Sequence, residues 1–262
     1  MRKTVLILLL AVSLLAVSAA ITTPRVEGQK VSLSNKEAAT PVQDGVVSER
    51  QKQHRQIYKD YKGVGKLQDL LNREERNGGD ELTIELIPGP PELSPQGKRA
   101  SPADVLDSMA AEADAIVIGV IKDKSSQLTE NGAFIFTDYD MTVEEVLKDN
   151  RAARVEPRTS LTVTRPGGKV VLNGRVVTAV DRLFKRLAVG GRYLLFLHHV
   201  TATGAYQAIN DQGSFEIGDN KAAALAQTPA AASGGEMDAA ALINEIRATV
   251  TASRHRVAGE NQ

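Results

Sequence analysis

The period of apolar and polar positions changes several times along the chain, and each change predicts an element. Thr4 to Val17 is almost wholly apolar, preceded by Arg2 and Lys3 and followed by the small residues Ser18, Ala19 and Ala20. That layout predicts a cleavable signal peptide over residues 1–20. The apolar core is shorter than the roughly 20 residues a spanning helix needs, and polar Thr22, Thr23 and Arg25 follow at once. No later stretch is apolar enough to span a bilayer, so the expected product is exported and free of the membrane. Residues 21–46 are rich in Thr, Ser, Pro, Gly, Gln and Ala without an apolar period, and predict a disordered linker.

Residues 47–100 read as a charged helical extension with a short strand. Ile57, Tyr58, Tyr61, Leu67, Leu70 and Leu71 are the main apolar residues of the helical part, which Gly63 and Gly65 divide. Leu82, Ile84 and Leu86 then alternate with Thr83, Glu85 and Ile87, ended by Pro88-Gly89-Pro90-Pro91. A helix follows, with Ser101 as N-cap, Pro102 in the first turn, Asp104 at the capping-box position, and Val105, Leu106, Met109, Ala110 and Ala113 on one face.

Ala115 to Ile121 is a β-branched run that predicts a strand buried on both sides, and Gly119 inside it predicts a bulge. After a turn at Asn131-Gly132, a long strand runs from Phe134 to Val146. It carries Ile135, Thr137, Tyr139, Met141 and Val143 on one face and Phe134, Phe136, Asp138, Asp140 and Thr142 on the other. Further strands are expected at Ser160–Thr164, in a hairpin over Lys169–Asp181 around Asn173-Gly174, and at Arg192–Val200, Ala205–Ile209 and Ser214–Ile217. The fold class is therefore mainly β, a small β-barrel domain over residues 101–218. Residues 219–235, mostly Ala, Gln, Pro, Ser and Gly, predict a low-complexity linker. Residues 236–252 predict a C-terminal helix that packs back through Ala240, Leu242, Ile243, Ile246 and Val250.

Composition narrows the chemistry. The absence of cysteine removes disulfides, thiolate metal sites, cysteine nucleophiles and the lipid-bearing cysteine of bacterial lipoproteins. The chain has 32 basic and 32 acidic residues, and 30 against 32 once Arg2 and Lys3 leave with the signal, so no global field draws nucleic acid or anionic membrane. Arg50 to Lys66 holds six basic residues and one acid, Asp60, beside Tyr58 and Tyr61. A solvated helix face accounts for it better than a nucleic-acid or lipid patch, because no further basic surface supports it.

The candidate chemical groups are sparse. His198 and His199 are adjacent on a strand, point to opposite faces, and so cannot chelate one metal together. Asp138 and Asp140 share a face, with Asp123, Glu144 and Glu145 as neighbours in sequence or across a turn, but no loop of Ca²⁺-binding spacing surrounds them. Gly167-Gly168 and Gly190-Gly191 lack the phosphate-loop form and read as turns. No serine elbow is present, and Arg165, beside Pro166, is a lone candidate for an anion.

The phrases "ADAIVIGVI" (Ala113–Ile121), "DYDMTVEEVLKD" (Asp138–Asp149), "LTVTRPGG" (Leu161–Gly168) and "LAVGGRYLLFLHH" (Leu187–His199) resemble, in this order, a group of exported bacterial proteins of unassigned function. They are similar also to the OB-like barrel of netrin-type modules, the fold shared by tissue inhibitors of metalloproteinases. The resemblance covers somewhat under half the chain and implies a fold rather than a function. The zinc-chelating N-terminal cysteine of those inhibitors has no counterpart here.

The resulting expectation is an exported, non-enzymatic binding or protein-interaction module in the periplasm or outside the cell, without cofactor, metal or catalytic residues. Its partner would be another envelope or extracellular protein, not nucleic acid. The contact strip would be Phe134, Phe136, Asp138 and Asp140. Two alternatives stay open: an envelope hydrolase or metal-dependent enzyme with a dispersed site, and a protease inhibitor acting through a loop.

Overall fold

Strands dominate the architecture. A computed structural model describes residues 40–41, 49–58, 67, 81–86, 102–149, 152–181, 185–209, 213–226 and 236–259, all within the unit Glu37–Gln262. The predicted signal peptide, the glycines at 63 and 65 and the proline-rich stretch 88–91 lie outside the described residues. In chain order the elements are β1 (Thr40–Pro41), α1 (Glu49–Ile57), β2 (Glu81–Leu86), α2 (Pro102–Glu112), β3 (Ala115–Leu128), β4 (Ile135–Lys148) and β5 (Ser160–Pro166). They continue as β6 (Gly168–Leu172), β7 (Arg175–Asp181), β8 (Arg192–Val200), β9 (Ala205–Ala208), β10 (Ser214–Ile217), β11 (Lys221–Ala224), β12 (Glu236–Asp238) and α3 (Ala239–Gly259).

The larger sheet has the order β12-β11-β10-β8-β3-β4-β5-β9, and β9 also pairs with β8. The hydrogen-bonded path β8-β3-β4-β5-β9 therefore returns to β8. Its pairs are antiparallel except β5–β9, which is parallel. Apolar residues from all five strands, among them Val117, Met141, Val163, Leu195 and Tyr206, meet in one buried cluster.

On β3, Ala115 and Val117 join that cluster while Ile116 and Ile118 turn the other way, which is why the run reads as apolar on both sides. The register of β3 against β4 shifts between Ile118 and Gly119. A Cβ at Gly119 would stand 2.4 Å from the carbonyl oxygen of Thr142, so the close approach of the two backbones requires glycine.

Two covers lie on the outside of this cycle. One is helical: Leu106, Met109, Ala110 and Ala113 of the α2 segment and Ala239, Leu242, Ile246 and Val250 of α3 pack on Ile116, Ile118, Leu194 and Phe196. The α2 face is the predicted one. Lys148 donates from Nζ to the carbonyls of Ala110 and Ala111, at 2.8 and 3.1 Å, and to that of Ala113, which satisfies carbonyls at the helix C-terminus. α3 begins at Ala239 because Asp238 Oδ1 accepts from Ala241 N at 2.7 Å as an N-cap, and the helix runs to Gly259, past the expected end.

The second cover is a four-stranded sheet, β1-β6-β7-β2, together with α1. β6 and β7 form the hairpin expected around Asn173-Gly174, where both residues have positive φ, 50° and 77°. β2 runs parallel to β7, so the segment expected as an extension supplies an edge strand. Tyr58, Leu67, Ile84, Phe134, Ile135, Phe136, Val170, Val177 and Ala179 bury together there.

The linker expected over 219–235 holds a strand at its start, and the helix expected from 236 is preceded by another; residues 227–235 lie outside the described residues. β11 pairs with β10 and β12 with β11, and Ala222 is fully buried in the cluster under α3. Alanine is a poor strand former in isolation, and here the packing of a small side chain under a helix decides.

Candidate functional site

The strand alternation that predicted a mixed face on β4 is present, but α1 covers half of it. Asp138 stands opposite Thr164 in the β4–β5 register. Over this pair α1 brings His54 and Tyr58, one helical turn apart. His54 Nδ1 lies 3.7 Å from Asp138 Oδ1, and Tyr58 Oη and Thr164 Oγ1 are hydrogen bonded at 3.0 Å. From β3, Gln127 donates from Nε2 to Asp138 Oδ2 at 3.4 Å. A buried carboxylate is costly unless polar groups answer it; Gln127 does so at Oδ2, and the His54 ring stands beside Oδ1 at more than hydrogen-bond distance.

The apolar part of the contact is aromatic. The Tyr58 ring lies at 25° to those of Phe134 and Phe136, with centroids 5.0 and 5.9 Å away, and the His54 ring meets Phe136 edge-on at 4.7 Å. His54 and Phe136 are 0% exposed, Asp138 3% and Phe134 4%.

The expected contact strip is therefore corrected: of Phe134, Phe136, Asp138 and Asp140, only Asp140 is open to solvent. Alternation shows that one strand face is mixed, not what lies upon it. Beyond the covered half, Asp140 accepts from Thr162 Oγ1 at 3.3 Å and stands opposite Asp123. The other acids named with it are taken up elsewhere, Glu144 by Arg192 at 2.6 Å and Glu145 by Arg247. Arg165 is on β5 and buried, not on an open loop.

Toward the hairpin end of β3 and β4, Ser126 and Thr137 share a hydrogen bond at 2.9 Å, and Thr137 donates to the Gly167 carbonyl at 2.6 Å. Gly168, at φ +148°, follows directly, and a Cβ there would fall 2.3 Å from Thr137 Oγ1. These hydroxyls pin β6 to the β3–β4 hairpin.

The histidine pair behaves as strand geometry predicts. His198 is largely exposed and its Nδ1 lies 2.9 Å from Asp114 Oδ2, while the His199 ring sits 5.0 Å from that of Tyr206. The same Asp114 oxygen accepts from His199 N at 2.7 Å. Asp114 thus fixes the His198 ring and leaves Nε2 outward. Among the described residues no group of three or more His, Cys, Asp or Glu could hold a metal ion, and no helix is long and apolar enough to cross a membrane.

Of the basic segment, the Lys52 side chain is described. It pairs with Glu49 at 2.7 Å, and that hydrogen bond lifts the ammonium above its ordinary pKa. Sequence reasoning missed His54 and placed Tyr58 in the basic patch. The signal was the spacing of His54, Ile57 and Tyr58, one stripe on an otherwise charged helix. No protein-family model matches the chain, and no match is found among the curated proteins.

Proposed function

We propose that this chain is an exported binding module on an OB-like barrel, and that the face of β4 and β5 takes another protein or an envelope component. The cyclic pairing supports the barrel. Numbered along the chain, the five strands follow one another as first, second, third, fifth and fourth before returning to the first, with third and fifth parallel. That is the Greek-key order of the OB fold, in which the second and third strands form the usual binding face. Here those strands are β4 and β5. Export rests on the sequence of residues 1–20.

The observation that carries the binding reading is the mixed character of this face. It sets Phe136 beside Asp138, Asp140, Thr162 and Thr164, the combination of ring and hydrogen-bonding groups that recognition surfaces use. Asp140 and Thr162 lie on its uncovered part, so an Asp140→Lys/Thr162→Lys variant changes the surface without opening a core. Affinity capture from the exported fraction with wild type and this variant is the test. Loss of specific partners in the variant supports the reading, and identical partner lists refute it.

One observation favours a second reading, the hydrolase. Asp114 orients His198 with Nε2 outward, as a carboxylate does for a general base. Turnover of ester, phosphate or glycoside substrates that disappears in His198→Ala would establish it over the first.

A further inference from the structure

The β4–β5 face has the residue pattern of a strand face meant for water, yet its first half is sealed. Phe134, Phe136 and Asp138 would be an ordinary half-polar surface, and they are buried where His54 and Tyr58 pack on them, with Val170, Val177 and Ala179 of the second sheet in the same cluster as the two phenylalanines. α1 is nine residues long and mostly charged or amide-bearing, and a helix of that length is marginal on its own. Among the described side chains of α1 and of Tyr58, which follows it, only His54 and Tyr58 are buried. Both meet polar as well as ring groups of the seat: His54 stands 3.7 Å from Asp138 and edge-on to Phe136, and Tyr58 is hydrogen bonded to Thr164 and stacked on the two phenylalanines.

We propose that α1 is a ligand held in cis: it occupies the β4–β5 binding face and gives way to a helical segment of a partner protein that presents the same groups. The partner segment carries a ring with a hydrogen-bonding nitrogen and, four residues later, a tyrosine. The first meets Asp138 and the edge of Phe136; the second stacks on Phe134 and Phe136 and reaches the Thr164 hydroxyl. The polar half of the seat makes displacement feasible, because water can solvate Asp138 and Thr164 during exchange, whereas an all-apolar seat would be costly to open. A partner that must first displace α1 binds more weakly by the fraction of chains in which the seat is open. The inference rests on the binding reading above and adds its regulation.

The test uses the full chain and a fluorescent peptide of residues 49–58. A His54→Ala/Tyr58→Ala variant releases α1 and leaves the seat intact, so the peptide should bind it at least tenfold more tightly than it binds wild type, by anisotropy. Adding Asp138→Asn and Thr164→Val to that variant should abolish the binding. Equal binding to wild type and the double variant, no binding to either, or loss of cooperative unfolding in the double variant would each overturn the proposal. Hydrogen exchange of the wild type gives a second measure: α1 amides should exchange at least a hundredfold faster than those of β8, and equal protection would overturn it. If the peptide results hold while the Asp140→Lys/Thr162→Lys variant keeps every partner, cis occupancy stands and the partner reading fails.

Discussion

The two covers on the five-strand cycle are built from opposite materials. Under α2 and α3, Ile116, Ile118, Leu194 and Phe196 meet Leu106, Met109, Leu242 and Ile246 in an apolar centre, with polar contacts such as Thr249 to Asp107 and Arg247 to Glu145 at its exposed margin. Under α1, rings meet beside a buried imidazole, a buried carboxylate and two hydroxyls. The first kind of contact gains stability in proportion to the area it buries, roughly 1.5–3 kcal/mol for each large side chain. The second spends part of that gain on desolvating Asp138 and His54. An apolar cover holds a fold together, while a polar one specifies what fits and can be exchanged.

The largest expected effect tests the apolar cover. Ile246→Ala removes a fully buried α3 side chain and should cost about 2–5 kcal/mol, read as a lower denaturant midpoint with an unchanged slope. A local loss, confined to α3 amides, would make the two covers alike and break the contrast.

Next comes the attachment of the second sheet. Gly168→Ala would drive a Cβ into Thr137 Oγ1 and Ser126 Oγ, 2.3 and 2.5 Å away, at a φ that favours glycine. It should cost about 1–3 kcal/mol, together with loss of protection in the β6–β7 hairpin. An unchanged melting temperature would show that the hydroxyl pair does not pin the second sheet.

Smaller still is the cap of α3. Asp238→Ala should cost about 1 kcal/mol, and Asp238→Asn only a part of that, by thermal unfolding. If the two variants lose equally, the charge and not the hydrogen bond to Ala241 is what matters.

The smallest global effect belongs to the polar cover. Tyr58→Phe keeps the stacking on Phe134 and Phe136 but removes the bond to Thr164, worth about 0.5–1.5 kcal/mol. It should accelerate exchange of α1 amides while leaving β3 and β8 untouched. A shift of the whole unfolding transition would mean that α1 belongs to the cooperative core.

The legibility of the chain follows the same division. The face of α2 was readable because Val105, Leu106, Met109, Ala110 and Ala113 recur at helical spacing. β3 was readable because a β-branched run buried on both sides leaves no polar alternation, and Gly119 marked its register shift. The β6–β7 hairpin was readable because Asn173-Gly174 suits positive φ at both positions. The seat of α1 was not, since Phe134, Phe136 and Asp138 form a sequence that water or a protein surface could equally cover. Nor were β11 and β12, whose pairing depends on Ala222 fitting under α3 and not on any preference of alanine for a strand.

By itself, the sequence determined where most of the strands and helices stand, which side of them is apolar, and that no thiol chemistry is available, because periodicity and composition are local properties. Only the tertiary structure decided that β9 returns to β8, that Asp114 holds His198, and that His54 and Tyr58 close over Asp138 and Thr164. The Tyr58–Thr164 bond joins residues 106 positions apart. A polar side chain carries no mark of whether its hydrogen bond will go to water or to a partner that the chain brings back from so far away.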